Sequence, residues 1–215
     1  MISVIVFLGN PGREYSQTRH NAGWLACTHL VAGIESGNVF PDSGTNQISW
    51  TQKFKAQYAK IKPGGHSSST TDVLHLLLPQ NYYNTSGESL QSLLQFFKLP
   101  LDQVLVVHDD LETPFGRLTL QFAGGLGGNN GLKSVVNQCG GQDFYRLKIG
   151  IGRPVHGKPD AWVLSRFSQE EEPELPMIFD QATQWMVSLA TKKSLGSALK
   201  DGRKQTWNLG AGGHQ

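Results

Sequence analysis

Asn10, Tyr15, His20 and Asn21 follow an apolar run at the start of the chain, where a strand would end and a helix would begin. His20 is the best general acid or base among the seven histidines, because an unperturbed imidazole, titrating at about 6.5, exchanges protons near neutral pH. Taken alone it reads equally as a histidine that caps or pairs locally. A carboxylate oriented toward it would fix its tautomer and raise its basicity. Asp109, just beyond the apolar run Val104–Val107, is the candidate. Asn10, Asn84 and Asn130 each offer an amide that can hold a carbonyl or an oxyanion, although loop asparagines are also ordinary turn residues.

Other chemistries fit less well. Asp109, Asp110 and Glu112 could be read as a magnesium site, but no Walker-type phosphate loop accompanies them, and one of them reads equally as a solvated loop residue. The Gly-rich run Gly124–Gly131 comes close to a dinucleotide fingerprint at Gly125-Leu126-Gly127, yet Asn130 stands at the third glycine position. Its glycines suit a flap over a cleft. No Gly-x-Ser-x-Gly elbow is present, and neither Cys27 nor Cys139 has a histidine near it in a loop. A water nucleophile activated by His20 is favoured over a covalent one.

Positioning these residues falls to alternating strands and helices. Ile2–Leu8, Val73–Leu78 and Val104–Val107 read as buried strands, Tyr145–Ile151 as a further strand, and Arg117–Phe122 alternates. Lys53–Ile61 suggests an edge or half-exposed strand, followed by a mobile hairpin loop from Pro63 to Thr71. Helices are expected from Arg19 to Ala32 with Gly33 as cap, from a capping Ser86 along Leu90, Leu93, Leu94 and Phe97, from Leu132 to Gln138, over a short stretch ending near Phe167, and from about Glu174 along Ile178, Ala182, Trp185, Met186 and Leu189. Ser36–Ser49 reads as a surface loop. This order predicts an α/β fold of one domain over residues 1–205, a mixed twisted sheet flanked by helices on both faces, with 206–215 as a flexible Gly-rich tail. The loops Asn10–Asn21, Asn81–Ser86, His108–Glu112 and Gly124–Asn130 would then converge on one side of the sheet.

A chain of 215 residues with 38% apolar content can bury its own core. The formal charge of +2 permits a nucleic-acid partner without demanding one. Two distant cysteines, no basic leader and no apolar run near the ~18 residues of a membrane span point to a cytoplasmic protein without membrane or structural metal.

Gly9-Asn10-Pro11-Gly12, Tyr15, Thr18-Arg19-His20-Asn21-Ala22-Gly23, Pro79, Tyr82, Asn84, Ser86-Gly87, His108-Asp109-Asp110-Leu111, the flap ending in Asn130-Gly131-Leu132-Lys133, and Arg146-Leu147 with Ile149-Gly150-Ile151-Gly152 together resemble the bacterial-type peptidyl-tRNA hydrolases. The likeness runs in order from about residue 3 to about residue 190. It implies a usually monomeric cytoplasmic esterase, without cofactor or metal, that acts on peptidyl-tRNA and recycles the tRNA. Matched position by position, it implies His20 as base, Asp109 as the carboxylate stabilising its basic form, Asn10 as the residue separating blocked peptidyl from free aminoacyl substrates, and Tyr15, Tyr82, Asn84 and Asn130 as substrate-binding residues.

Two departures stand out. Asn129 replaces a histidine usual before the flap asparagine, and Leu126 replaces the other flap histidine. Thr119 and Gln121 stand where lysines often help hold tRNA phosphate, so Arg117, Lys133, Arg146 and Lys148 become the candidate phosphate contacts. A non-catalytic RNA-binding relative and a small-substrate esterase are the alternatives. The intact set Asn10, His20, Asp109 and Asn130 favours the hydrolase.

Overall fold

The computed structural model describes residues 1–45, 47–64 and 73–210. In chain order its elements are β1 (Val4–Phe7), α1 (Ala22–Glu35), β2 (Thr51–Lys53), β3 (Ala56–Ile61), β4 (Leu74–Pro79), α2 (Ser86–Phe97), β5 (Val104–Asp110), β6 (Arg117–Phe122), α3 (Asn130–Cys139), β7 (Tyr145–Gly150), α4 (Pro159–Val163), α5 (Leu175–Thr191), α6 (Lys193–Lys200) and β8 (Gln205–Asn208).

Every side chain of β1 is apolar and fully buried. A strand that is apolar on both faces needs cover on both, and β1 takes the middle of the sheet. It pairs in parallel with β4 on one side and β5 on the other, with Ile5 opposite Leu76 and Leu105. The full order is β2-β3-β4-β1-β5-β7-β6-β8. β7 continues the parallel set, whereas β2, β3, β6 and β8 add antiparallel strands at the two ends. Ile5, Phe7, Leu105, Val107 and Leu147 point into a core shared with α1 and α5. On the opposite face Val4, Val6, Val104 and Val106 meet Leu90 and Leu93 of α2 and Leu132 and Val135 of α3. The expected mixed sheet with helices on both faces is therefore present.

Several boundaries differ from expectation for identifiable reasons. α1 runs past Gly33 to Glu35, and the left-handed residue that turns the chain is Gly37, at φ 78°. The Gly33 carbonyl accepts from the N–H groups of Asn38 and Val39 as the chain folds back. The 36–49 segment is anchored by buried Phe40 and Ile48, with the Ile48 N–H donating to Glu35 Oε1 (2.9 Å). Instead of one edge strand over 53–61 there is a hairpin, β2 to β3, turned at Phe54 and Lys55, both at positive φ. Neither residue is a usual turn former. Phe54 is held there by edge contacts with Tyr58, Phe96 and Phe97.

The expected tail from residue 206 begins too early. Gln205–Asn208 pair with β6 as β8, and Trp207 packs against the core. The part of the expected mobile loop from Gly65 onward and residues 211–215 of the tail lie outside the described residues. No described helix is long and apolar enough to cross a membrane.

Candidate active site

The parallel strands β1, β4 and β5 end on the same side of the sheet, where open α/β sheets leave a crevice. His20 sits in a short 3-10 turn, Arg19–Asn21, between β1 and α1. Its neighbours hold the turn from either side. Arg19 is buried, its guanidinium over the Trp162 ring (3.8 Å) and bonded to the Glu171 carboxylate (2.9 Å from Nη1). Asn21, fully buried, clasps the backbone of Asn10: its Oδ1 accepts from the Asn10 N–H (2.9 Å) and its Nδ2 donates to the Asn10 carbonyl (3.0 Å). Between two fixed residues, the imidazole of His20 is left part-exposed, with 20% of its side chain open to solvent.

Gly23 lets this arrangement form. A Cβ there would lie 2.5 Å from the Leu8 carbonyl oxygen and 2.7 Å from that of Val107, so only glycine allows α1 to start so close to β1 and β5.

Asp109, at the end of β5 and 3% exposed, presents Oδ2 to His20 Nδ1 at 2.9 Å. A carboxylate in that position makes Nδ1 the protonated nitrogen and leaves Nε2 with its lone pair free. Its other oxygen, Oδ1, accepts from the Tyr83 hydroxyl at 2.6 Å. Tyr83 also stacks on the His20 ring, with centroids 3.7 Å apart and planes at 16°. Burial above all, then the charge of Asp109, raises the phenol well above its ordinary value of 10. At neutral pH it is a neutral donor. The Tyr83 N–H donates to Asn10 Oδ1 (2.8 Å), so what Asn10 has to offer a ligand is its Nδ2 amide.

The flap closes the other side. Asn129 caps α3, its Oδ1 accepting from the Leu132 N–H (3.0 Å), while its Nδ2 donates to the Tyr83 hydroxyl (3.0 Å). Asn130, the first residue of α3, is exposed and accepts from Lys133 Nζ (3.2 Å). Gly131 packs so tightly that a Cβ would fall 2.5 Å from Tyr83 Cε1.

The other acidic residues have separate duties. Burial by itself would raise the Asp110 carboxyl, but the Thr113 hydroxyl (2.7 Å), His108 and Lys148 (3.1 Å) outweigh it and hold it below its ordinary range. Glu112 pairs with Arg153. The three carboxylates of the alternative magnesium reading thus each face a different partner.

Of the residues expected to bind substrate, Tyr82 is 67% exposed and Asn84 is exposed on the turn before α2, while Tyr15 is half-buried in the loop leading to His20. Arg117 and Lys133 are exposed. Lys148 is turned toward Asp110. Arg146 departs from expectation: it is fully buried, its Nη1 donating to the Gly125 carbonyl (2.7 Å) and its guanidinium over Phe144 (4.6 Å), so it holds the flap from inside and presents no charge to a phosphate. Opposite it in the sheet, Gln121 is likewise buried and donates to the Ala123 carbonyl (2.9 Å).

Sequence reasoning overlooked Tyr83 and the clasp by Asn21. Both lie within stretches already singled out. Of the adjacent Tyr82 and Tyr83, nothing local tells which ring points inward.

A family model described as peptidyl-tRNA hydrolase matches residues 4–207. Among curated proteins, the peptidyl-tRNA hydrolase of Geobacter sulfurreducens is 40% identical over 188 residues, covering 87% of this chain and 89% of its own, and that of Pelobacter propionicus is 42% identical over 197 residues, covering 91% and 92%. Among solved structures, the peptidyl-tRNA hydrolase of Acinetobacter baumannii superposes with a TM-score of 0.72 at 31% identity, with 93% of each chain covered. Agreement in sequence along nearly the whole chain, and in the path of its backbone, places this chain in the peptidyl-tRNA hydrolase family.

Proposed function

We propose that this protein hydrolyses the ester joining a peptide to the terminal ribose of tRNA, with His20 as general base, Asp109 as its orienting carboxylate and Asn10 at the substrate carbonyl. Nε2 of His20 takes a proton from a water, whose oxygen attacks the ester carbon. The oxygen charge that develops is met by amide donors, Asn10 Nδ2 among them. The ester C–O bond then breaks, and the imidazolium returns its proton to the departing ribose oxygen. The products are a free peptide and a tRNA with its terminal hydroxyl restored, available for recharging. An ester is activated enough for this to proceed from positioning and proton transfer alone, and the scheme calls on no cofactor.

One observation carries the reading: His20 Nδ1 lies 2.9 Å from a buried carboxylate that comes from a different strand end, while 20% of the His20 side chain stays exposed. Exposed Tyr82, Asn84 and Asn130 suit a substrate whose single-stranded end stacks and hydrogen-bonds. Exposed Arg117 and Lys133 suit its phosphates. The protein would act as a monomer in the cytoplasm.

The test is release of free tRNA from an N-blocked aminoacyl-tRNA. Wild type should turn over and His20→Ala should not. Cleavage of a simple blocked amino-acid ester as fast as the tRNA substrate would point instead to a small-substrate esterase.

A further inference from the structure

Tyr83 touches each polar part of the site: its N–H bonds to Asn10, its hydroxyl to Asp109, its ring lies on His20, and its oxygen accepts from Asn129 of the flap. We propose that Tyr83 is a positioning residue of this site and Asn129 the flap's hold on it, the two together making Nε2 the basic nitrogen of His20. The inference rests on the proposed role of His20 as base.

The direction of every hydrogen bond in the chain follows from one end. The Leu132 N–H is a donor at the start of α3 and needs an acceptor, so it takes Asn129 Oδ1. That leaves the donating Nδ2 of Asn129 toward the Tyr83 oxygen (3.0 Å) and, at longer range, the Asp109 carbonyl (3.3 Å). A phenol has a single proton, and with its oxygen already accepting there, that proton goes to Asp109 Oδ1. Oδ2 then remains for His20 Nδ1, which must carry its own proton to meet a carboxylate. The stacked ring, 3.7 Å away, holds the imidazole plane while this is so. Because Asn129 stands at the end of the Gly-rich flap and caps α3, the flap and the base are joined through Tyr83.

The charged groups described around His20 have partners of their own. Asp109 and Tyr83 are its direct neighbours from β5 and from the turn before α2. On β5, Asp110 turns its carboxylate to Thr113 and Lys148, and His108 Nδ1–H donates to the Asp109 carbonyl. From the turn before α1, Arg19 is directed at Glu171. From α3, Lys133 reaches Asn130.

Tyr83→Phe keeps the ring and removes the hydroxyl. The Asp109 carboxylate then loses a donor, its charge bears more fully on His20, and the imidazolium is favoured. The expected result is a kcat lower by about tenfold, KM within about twofold, and an acid limb of the pH–rate profile moved upward by about half a unit to one unit. Asn129→Ser keeps a side-chain acceptor for the cap and removes the amide donor, so it should move kcat and the acid limb in the same direction by less. The double variant should lose less than the product of the two single losses, since the amide's shorter bond acts on the carboxylate through the phenol and only its longer one, to the Asp109 carbonyl, acts directly. A kcat and pH profile of wild-type form in Tyr83→Phe, with His20→Ala inactive, would overturn the inference alone. So would additive losses in the double variant with an unmoved acid limb. An active His20→Ala would overturn the underlying assignment of the base, and this inference with it.

Discussion

Asp109→Asn changes one atom type and very little volume at a residue 3% exposed. Its effect is decided by which way the new amide faces. Asn129 Nδ2 donates to the Tyr83 oxygen at 3.0 Å, so the phenol keeps its proton directed at position 109 and requires an oxygen there. The amide nitrogen is then forced toward His20 Nδ1, which must accept. The proton moves to Nε2, and the nitrogen facing the cleft is no longer a base. Replacing the carboxylate that orients a catalytic histidine by its amide lowers turnover by roughly 10³–10⁴-fold, or about 4–5.5 kcal/mol of transition-state stabilisation. The loss should lie in kcat, because no substrate contact is removed. Single-turnover release of tRNA from an N-blocked aminoacyl-tRNA measures it, with denaturant unfolding to confirm that the variant is folded. Turnover within tenfold of wild type near neutral pH would refute the tautomer argument.

Two further outcomes follow from other parts of the molecule. If Arg117 and Lys133 contact phosphate, Arg117→Ala and Lys133→Ala should each flatten the dependence of log K on log salt by about one phosphate contact, whereas Arg146→Met, removing a buried guanidinium, should leave that slope unchanged while weakening the flap; a flattened slope in Arg146→Met would contradict its inward placement. His75, on β4 with its Nδ1 2.8 Å from the Tyr58 hydroxyl, is pushed down to about 4 by burial and then by Lys60. Because its folded value lies below the unfolded one of about 6.5, protons favour the unfolded chain: stability is complete above pH about 6.5 and falls by up to about 3 kcal/mol as pH drops toward 4. Denaturant midpoints measured across that range should show the fall in wild type and a shallower one in His75→Gln, and equal slopes in the two proteins would remove His75 as the cause.

Much of this was written into local sequence. The apolar runs of β1, of β4 around its single His75, and of β5 from Val104 to Val107 demanded a buried parallel set, and the leucines of α2 spaced at three and four residues demanded one packed face. Such patterns are local because burial acts on each strand or helix face as a unit. Residue type likewise marked His20, Asp109 and the loop asparagines, since few side chains can exchange a proton near neutrality or offer an amide to a carbonyl.

Where those side chains point was decided by contacts far apart in the chain. His20 meets Asp109 across 89 residues, and Tyr83 meets Asn10 across 73. Only the strand order β4-β1-β5 makes these neighbours. The same distance dependence turns Tyr83 inward and leaves Tyr82 exposed, seats Arg146 beneath the flap, draws Gln205–Asn208 onto β6, and permits a hairpin at Phe54-Lys55 that no turn residue announces. A sequence states what each side chain can do. In this protein the sheet, by bringing the ends of separate strands to one edge, determines which of them do it together.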